Sequence, residues 1–229
     1  MNNMAKNYKI IKKNSEKLLI NYFIREFHRI IKIKEKKGQR LSFVLTGGKS
    51  PIKLYRTLSK SKINWKNVDF FWGDERYVSK NSQHSNFKLA KLNILNSLKI
   101  KNNQLFTVNT SKPSLVSASK DYEKKIKKYF FRRKLQFDII LLGLGEDGHI
   151  ASIFPGEIDK NNIDVTKSVI KDDFKRISLT LKTINNAKQI FLWLPTKKIS
   201  RIFNDNFNNK EKPVSYLNKR KIFVFSMLY

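Results

Sequence analysis

The stretch "FDIILLGLGEDGHIASIFPG", Phe137 to Gly156, reads as a short apolar strand that runs directly into Gly143-x-Gly145-x-x-Gly148. A buried strand followed at once by a glycine turn is the signature of an α/β unit, and this glycine spacing is that of a dinucleotide-binding turn. The residues between the glycines argue against a dinucleotide. Such a site lays a pyrophosphate on a helix N-terminus and holds the ribose with an acid about twenty positions later. Glu146 and Asp147 would instead face the two phosphates, at a cost of about 4 kcal/mol per contact at roughly 4 Å and an effective dielectric near 20. The following helix is broken at Pro155-Gly156, and no strand ending in an acid follows at the required distance. What remains is a glycine loop holding His149, an imidazole suited to proton transfer, beside Asp147, which can fix its orientation or support its charged form.

The same alternation extends outward from this stretch. Leu19, Tyr22, Phe23, Phe27, Ile30 and Ile31 recur at helical spacing and predict an amphipathic first helix ending near Gly38. "LSFVLT" is then a buried strand that meets "GGKSP", where Ser50 is expected to cap and Pro51 to open a second helix. "VDFFWG" is a further strand, leading into the polar loop "DERYVSKNSQHSN". Leu89, Leu92, Leu95 and Leu98 predict one face of a helix, "LFTV" a short strand, and Leu115 to Tyr129 another helix. After Gly156, "RISLTL" reads as a strand with one wet face and "QIFLWLP" as a buried strand; a helix through Ile199 and Phe203 and a last strand, "KIFVFSM", follow. The fold class expected is α/β, a doubly wound, mainly parallel, Rossmann-like sheet with helices on both faces, in one domain over residues 1–229.

Ligands in such sheets bind where loops leave the carboxyl ends of strands. Three loops qualify: Gly47 to Pro51, Asp74 to Asn86, and Gly143 to Gly156. The first is either an anion cradle, with Gly47 and Gly48 freeing backbone N–H groups and Lys49 adding charge, or an ordinary strand-to-helix turn. The second places Asp74, Glu75 and Arg76 directly after a strand, where charged residues are more often functional than elsewhere on a surface. Of the other two histidines, His28 and His84 are expected to face solvent, and no acid-histidine spacing suggests a metal site.

Composition sets outer bounds. A chain of 229 residues with 40% hydrophobic content can build one sizeable core. The absence of cysteine excludes disulfides, thiolate metal sites and a thiol nucleophile. The segment "MNNMAKNYKIIKKNSEK" lacks a secretory apolar run, and apolar runs elsewhere are strand-sized, so a cytoplasmic protein without a membrane partner is expected. The formal charge of +30 comes from lysine dispersed along the chain. Lysine, asparagine and isoleucine all have A/T-rich codons, so base composition accounts for the charge without an obligate nucleic-acid partner. The positive field would still speed arrival of a small anionic substrate, by about tenfold or more at low salt.

Taken together, "VLTGGKSPIKLY", "VDFFWGDERYV…HSNFKLAKLNIL", "FDIILLGLGEDGHIASIFPG" and "RISLTLKTINNAKQIFLWL" resemble, in this order, the segments of the 6-phosphogluconolactonase family. The resemblance covers most of the chain. It implies a doubly wound fold, no metal or organic cofactor, and hydrolysis of 6-phosphogluconolactone to 6-phosphogluconate in the oxidative pentose phosphate pathway. It further implies His149 as the proton-transferring residue, with Asp147 orienting it, and Arg76 on phosphate or developing negative charge. Gly47, Gly48, Lys49 and Ser50 would hold the phosphate end, joined in substrate binding by Asp74 and Lys198. A monomer or weak homo-oligomer acting on a small phosphosugar lactone is expected. Lys49 departs from the small hydroxyl residue usual in the family, Pro195 stands at an expected glycine, and the ending "KIFVFSMLY" lacks the usual acidic, alanine-rich tail.

Two rivals follow from the same residues. Glucosamine-6-phosphate deaminase shares the fold and an Asp-Gly-His loop, but has Asp-Glu-Tyr where this chain has Asp74-Glu75-Arg76. It also has a glutamate after the histidine where this chain has Ile153, Phe154 and Pro155. A degenerate, non-catalytic basic RNA-binding protein is the other; the dispersed lysines speak against it.

Overall fold

Strict alternation of apolar side chains across the strands decides the layering. The computed structural model describes residues 8–159, 161–171 and 174–228, and its main sheet has seven strands, all pairs parallel. In chain order the elements are β1 (Lys9–Lys13), α1 (Glu16–Lys36), β2 (Leu41–Leu45), α2 (Ile52–Ser59), β3 (Val68–Trp72), β4 (Asp74–Arg76), α3 (Asn86–Asn93), β5 (Leu105–Phe106) and α4 (Leu115–Tyr129). They continue with β6 (Ile139–Leu142), β7 (Thr166–Lys171), β8 (Phe174–Leu179), α5 (Leu181–Asn186), β9 (Gln189–Leu194), α6 (Lys197–Asn206) and β10 (Ile222–Met227). Phe43, Leu45, Ile139, Leu141, Phe191 and Trp193 point to one face, where α1, α2 and α3 cover them. Val44, Ile140, Leu142, Ile190, Leu192 and Leu194 point to the other, under α4, α5 and α6. Both faces of the central strands are therefore dry, which is the burial a parallel sheet needs.

The strand order is β1-β10-β9-β6-β2-β3-β5. From β2 the chain winds outward through β3 to β5, and from β6 it winds the opposite way through β9 to β10. Neighbouring β2 and β6 thus form the switch point, and the loops leaving their carboxyl ends diverge to opposite faces and open a crevice.

A second sheet, antiparallel and ordered β4-β8-β7, flanks this end. The sequence expectations miss it. Asp74–Arg76 is a strand rather than the start of a loop, and β7 is read only in the structure. Nor does "RISLTL" have a wet face: Arg176 to Leu179 are all buried, because β8 is the middle strand and α4 packs on it. Gly73 is the crossing point, its N–H donating to Leu45 O in the main sheet and its carbonyl accepting from Leu179 N in the small one.

Two further expectations need correction, and one strand was not anticipated. Ser50 does not cap α2: Pro51 occupies the cap position, without a side-chain hydrogen bond. The leucine face does not form a single helix, since α3 ends at Asn93, Leu92 is exposed and Leu95 belongs to a separate 3-10 turn. The lysine-rich "KIIKK" is an edge strand, β1, that buries only Ile11 and pairs with β10. No helix among the described residues is long and apolar enough to cross a membrane.

Candidate active site

Two buried tyrosines hold the strand ends from which the crevice is built. The Tyr55 hydroxyl of α2 donates to Thr46 O at 2.7 Å and accepts from Thr46 N at 2.9 Å, just past β2. The Tyr122 hydroxyl of α4 does the same at Trp72, the end of β3, at 2.9 and 2.8 Å. Burial raises the phenol of each well above its ordinary range. Each ring supplies the donor and acceptor that the peptide lacks once the ladder splays, so the loops begin from rigid points.

The first loop turns on Gly47 and Gly48. A Cβ on Gly47 would lie 2.0 Å from the Asn86 Oδ1, and Gly48 has φ +79°, open to glycine at little cost. Among the described residues the backbone N–H groups of Gly48, Lys49 and Ser50 have no partner within the protein, and all three residues line the crevice.

The second loop begins with β4, whose pleat sends Asp74 and Arg76 to the crevice and Glu75 away from it. Asp74 is buried and ties the loops together, accepting from Ser152 Oγ at 2.7 Å and from Asn86 Nδ2 at 3.4 Å. Arg76 donates from Nη1 to His84 O at 3.0 Å and lies over the Phe174 ring, with its Nε unpartnered. Burial pushes the Glu75 carboxyl up to about 6, against backbone N–H donors that favour its charged form.

In the third loop a tight turn, Gly148 N to Gly145 O at 3.0 Å with φ +87° at Gly148, folds the chain back so that Gly145 N meets His149 O. The His149 ring comes to lie against Gly145, where a Cβ would fall 2.1 Å from its Nδ1. His149 Nδ1 is 2.6 Å from Asp147 Oδ1, and the same oxygen accepts from His149 N at 3.1 Å. Burial raises the Asp147 carboxyl, but the His149 backbone N–H and imidazole outweigh it and hold it below the usual carboxylate range. Phe154 packs beside the imidazole with ring centroids 4.8 Å apart, and Ala151 adopts φ +49°, rare for a residue with a Cβ.

These loops enclose a cavity of about 410 Å³ lined by Gly47, Gly48, Lys49, Ser50, Asp74, Arg76 and His149 among the residues expected from sequence. Asp147 sits behind His149 rather than on the wall, and Lys198, at the start of α6, does not line the cavity. Its ammonium is bonded to Glu146, an exposed residue at the mouth. Sequence reasoning missed Asn86, Ser152 and the backbone of Thr46. The Ser85-Asn86 pair at a helix start was the available signal, since Ser85 Oγ caps α3 by accepting from Lys88 N at 3.2 Å. His84 is exposed and His28 half-buried on α1; neither lines the cavity. The positions where the rival chemistry would carry a glutamate are occupied by Ile153 and Phe154, both buried. Lys49 supplies one cation to the wall, Arg76 a second, and Asp74 and Glu146 are the lining carboxylates.

The chain is similar to proteins of known family and fold. Residues 14–225 match the family described as glucosamine-6-phosphate isomerases/6-phosphogluconolactonase. The chain is 34% identical over 166 residues to a 6-phosphogluconolactonase of Thermotoga maritima, covering 71% of this chain and 73% of that protein. It is 31% identical over 192 residues to one from Synechocystis, covering 82% and 80%. The solved 6-phosphogluconolactonase of Trypanosoma cruzi superimposes with a TM-score of 0.82 at 28% identity, over 96% of this chain and 95% of the other.

Proposed function

This chain belongs to the glucosamine-6-phosphate isomerase/6-phosphogluconolactonase family, and from that premise we propose that it hydrolyses 6-phosphogluconolactone to 6-phosphogluconate, a step of the oxidative pentose phosphate pathway. The relatives from Thermotoga maritima and Synechocystis, which match it over two thirds or more of its length, carry the lactonase name, which favours this branch over the isomerases. The observation that carries the chemistry is the His149 Nδ1 to Asp147 Oδ1 bond of 2.6 Å at the wall of a cavity that also presents Arg76 and Lys49.

An ionised Asp147 accepts the Nδ1 proton, which leaves Nε2 with its lone pair as the base. A six-membered lactone is an activated ester, so no covalent nucleophile is needed. His149 Nε2 takes a proton from water as its oxygen attacks C1; Arg76 or backbone N–H groups outside the phosphate loop steady the oxyanion. The bond from C1 to the ring oxygen then breaks, and the ring oxygen takes the proton back from His149. Gly47, Gly48, Lys49 and Ser50 hold the phosphate, each charged contact adding roughly 1.5–3 kcal/mol. Asp74 keeps the second and third loops in register around the sugar. Lys198, paired with Glu146, acts at the rim. We place the enzyme in the cytoplasm as one domain, a monomer or weak homo-oligomer working without metal or cofactor.

The test generates the lactone in situ from glucose 6-phosphate and follows acid release. Wild type should exceed the spontaneous rate, and His149→Asn should lower kcat by about a hundredfold to ten-thousandfold. A wild-type rate at background overturns the activity; equal fast rates for both overturn the role of His149.

A further inference from the structure

Glu75 is the one residue of β4 that faces away from the cavity. It is 2% exposed, yet its carboxylate is saturated with donors. Oε1 accepts from Asn86 N at 2.7 Å and Arg76 N at 2.8 Å, and Oε2 from Phe87 N at 2.7 Å and Ser85 Oγ at 3.2 Å. Asn86 and Phe87 open α3, where N–H groups have no partner within the helix and a negative charge meets the positive end of the helix dipole. One carboxylate therefore fastens β4 to the first turn of α3.

Both fastened elements carry cavity residues. β4 holds Asp74 and Arg76. α3 holds Asn86, whose amide donates to Asp74 O at 2.9 Å and fills the space in front of Gly47. Arg76 reaches His84 O, two residues before α3. A shift between β4 and α3 would move the guanidinium, the Asp74 carboxylate and the wall behind the glycine loop together. Burying a carboxylate costs free energy that an apolar residue would avoid, and removing it would leave the buried Asn86 N–H and the half-buried Phe87 N–H of α3 unpaired.

We propose that Glu75 is a positioning residue for substrate binding: its carboxylate sets the separation of β4 and α3, so that the anionic end of the substrate meets a prearranged wall. This rests on the cavity being the lactone site. Protonation turns one acceptor oxygen into a donor aimed at donors and loosens the joint. With the Glu75 carboxyl near 6, that change falls in an accessible range. The charged and titratable groups around it are Asp74 and Arg76 on β4, Arg176 opposite Arg76 on β8, Lys88 on α3, Tyr122 on α4 and His84 on the preceding loop.

Glu75→Gln keeps the shape but points an amide NH₂ at the same donors. KM for the lactone should rise about tenfold, the equivalent of about 1.4 kcal/mol, with any fall in kcat, through the displaced Arg76, smaller than the change in KM. Wild-type KM should rise as pH falls through about 6 by more than the substrate phosphate's own ionisation near that pH requires, while the variant keeps only the substrate's share and the two converge below that pH. His84→Asn should keep the inflection. A tenfold weaker affinity for inorganic phosphate, by calorimetry, should accompany the KM change and is readable even if no lactone turns over. Ser85→Ala, which removes the longest of the four donors, should raise KM about threefold and serves if Glu75→Gln does not fold. A lower Tm with unchanged KM and phosphate affinity, a pH dependence of KM in Glu75→Gln as large as in wild type, or a Glu75 contribution that vanishes in His84→Asn overturns the proposal. Absence of lactone turnover in wild type, with the phosphate effect intact, overturns the assigned activity instead.

Discussion

The two ends of the β2–β6 pair handle charge in opposite ways. At the amino end Asp138 is buried and every lone pair has a donor: Lys34 at 2.9 Å, Lys188 at 2.8 Å, and Ser42 through both its N–H and hydroxyl. Beside it each of the three Arg40 nitrogens has a partner, two on Asp69 and one on Lys66 O, while Tyr129 completes Asp69. At the carboxyl end valence is left over: Arg76 Nε, the N–H groups of Gly48 to Ser50, and the far nitrogen of His149. Saturated charge at one end makes a joint, and unsaturated charge at the other makes a site. Presence of ion pairs alone would not separate them, since His149 and Asp147 are paired as closely as Lys188 and Asp138.

The contrast is sharpest if the carboxyl end can be disabled without loss of stability. Beyond His149 itself, Gly145→Ala should do this, because its Cβ would sit 2.1 Å from His149 Nδ1 and must push the ring off its place. Displacing a catalytic group by about 1 Å costs on the order of a hundredfold. We expect kcat to fall by about that factor while Tm moves by less than about 3 °C, since the displaced groups lie in one loop outside the core and their shift should cost within about 1 kcal/mol. Steady-state rates beside a thermal melt decide it, and an unchanged kcat would mean that the ring is not held where the glycine leaves room.

At the amino end the expectation inverts. Asp138→Asn removes a buried charge on which the half-buried Lys34 and the exposed Lys188 converge and should cost about 3 kcal/mol, a Tm lower by about 6–12 °C, with kcat per folded molecule unchanged. Its pH signature has a definite sign. Burial raises the Asp138 carboxyl, but Lys188, the Ser42 N–H and Lys34 outweigh it and hold it below its ordinary value of 3.8. The stabilisation is therefore complete above that value and is lost as pH falls through it toward the depressed native one, so Asp138→Asn should flatten this part of the acid limb of the stability curve. Chemical denaturation across that range measures it, and a variant as acid-sensitive as wild type would place the limb elsewhere.

Most of the main sheet was legible because apolar runs such as "FDIILL" and "QIFLWL" are buried on both faces, which is a property of the residues themselves. The small sheet was not. β4 is three residues long, two of them turned to the cavity, so its composition is that of a site and hides the strand. "RISLTL" misled for a related reason: Arg176 and Ser178 are polar yet buried, a tertiary fact with no local signal. Glycine loops and the Asp147–His149 pair were readable because their chemistry is local in sequence. Asp74 with Ser152, and Glu75 with Asn86, were not, since each pair joins segments that only the β3-to-β4 crossing at Gly73 brings together.

The smallest expected effect is also the most discriminating, because the same backbone feature occurs at both ends. Arg132, before β6, has φ +60°, and Ala151, in the loop after it, φ +49°. Each holds a Cβ in the left-handed region at a cost of roughly 1–2 kcal/mol, part of which glycine would return while adding freedom to the unfolded chain worth about 0.4–1 kcal/mol. Arg132→Gly and Ala151→Gly should therefore each raise stability by no more than about 1 kcal/mol. Catalysis should separate them. Ala151 lines the cavity between His149 and Ser152, whose hydroxyl holds Asp74, so a looser backbone there lets two walls drift; Arg132 touches nothing that binds. We expect about a twofold to threefold loss of kcat/KM for Ala151→Gly, the equivalent of under about 1 kcal/mol, and none for Arg132→Gly. Equal kinetics for the two variants would mean that strain at the carboxyl end is as incidental as strain at the amino end. A loss confined to Ala151→Gly would tie the strained backbone to the same task as the unspent valence around it.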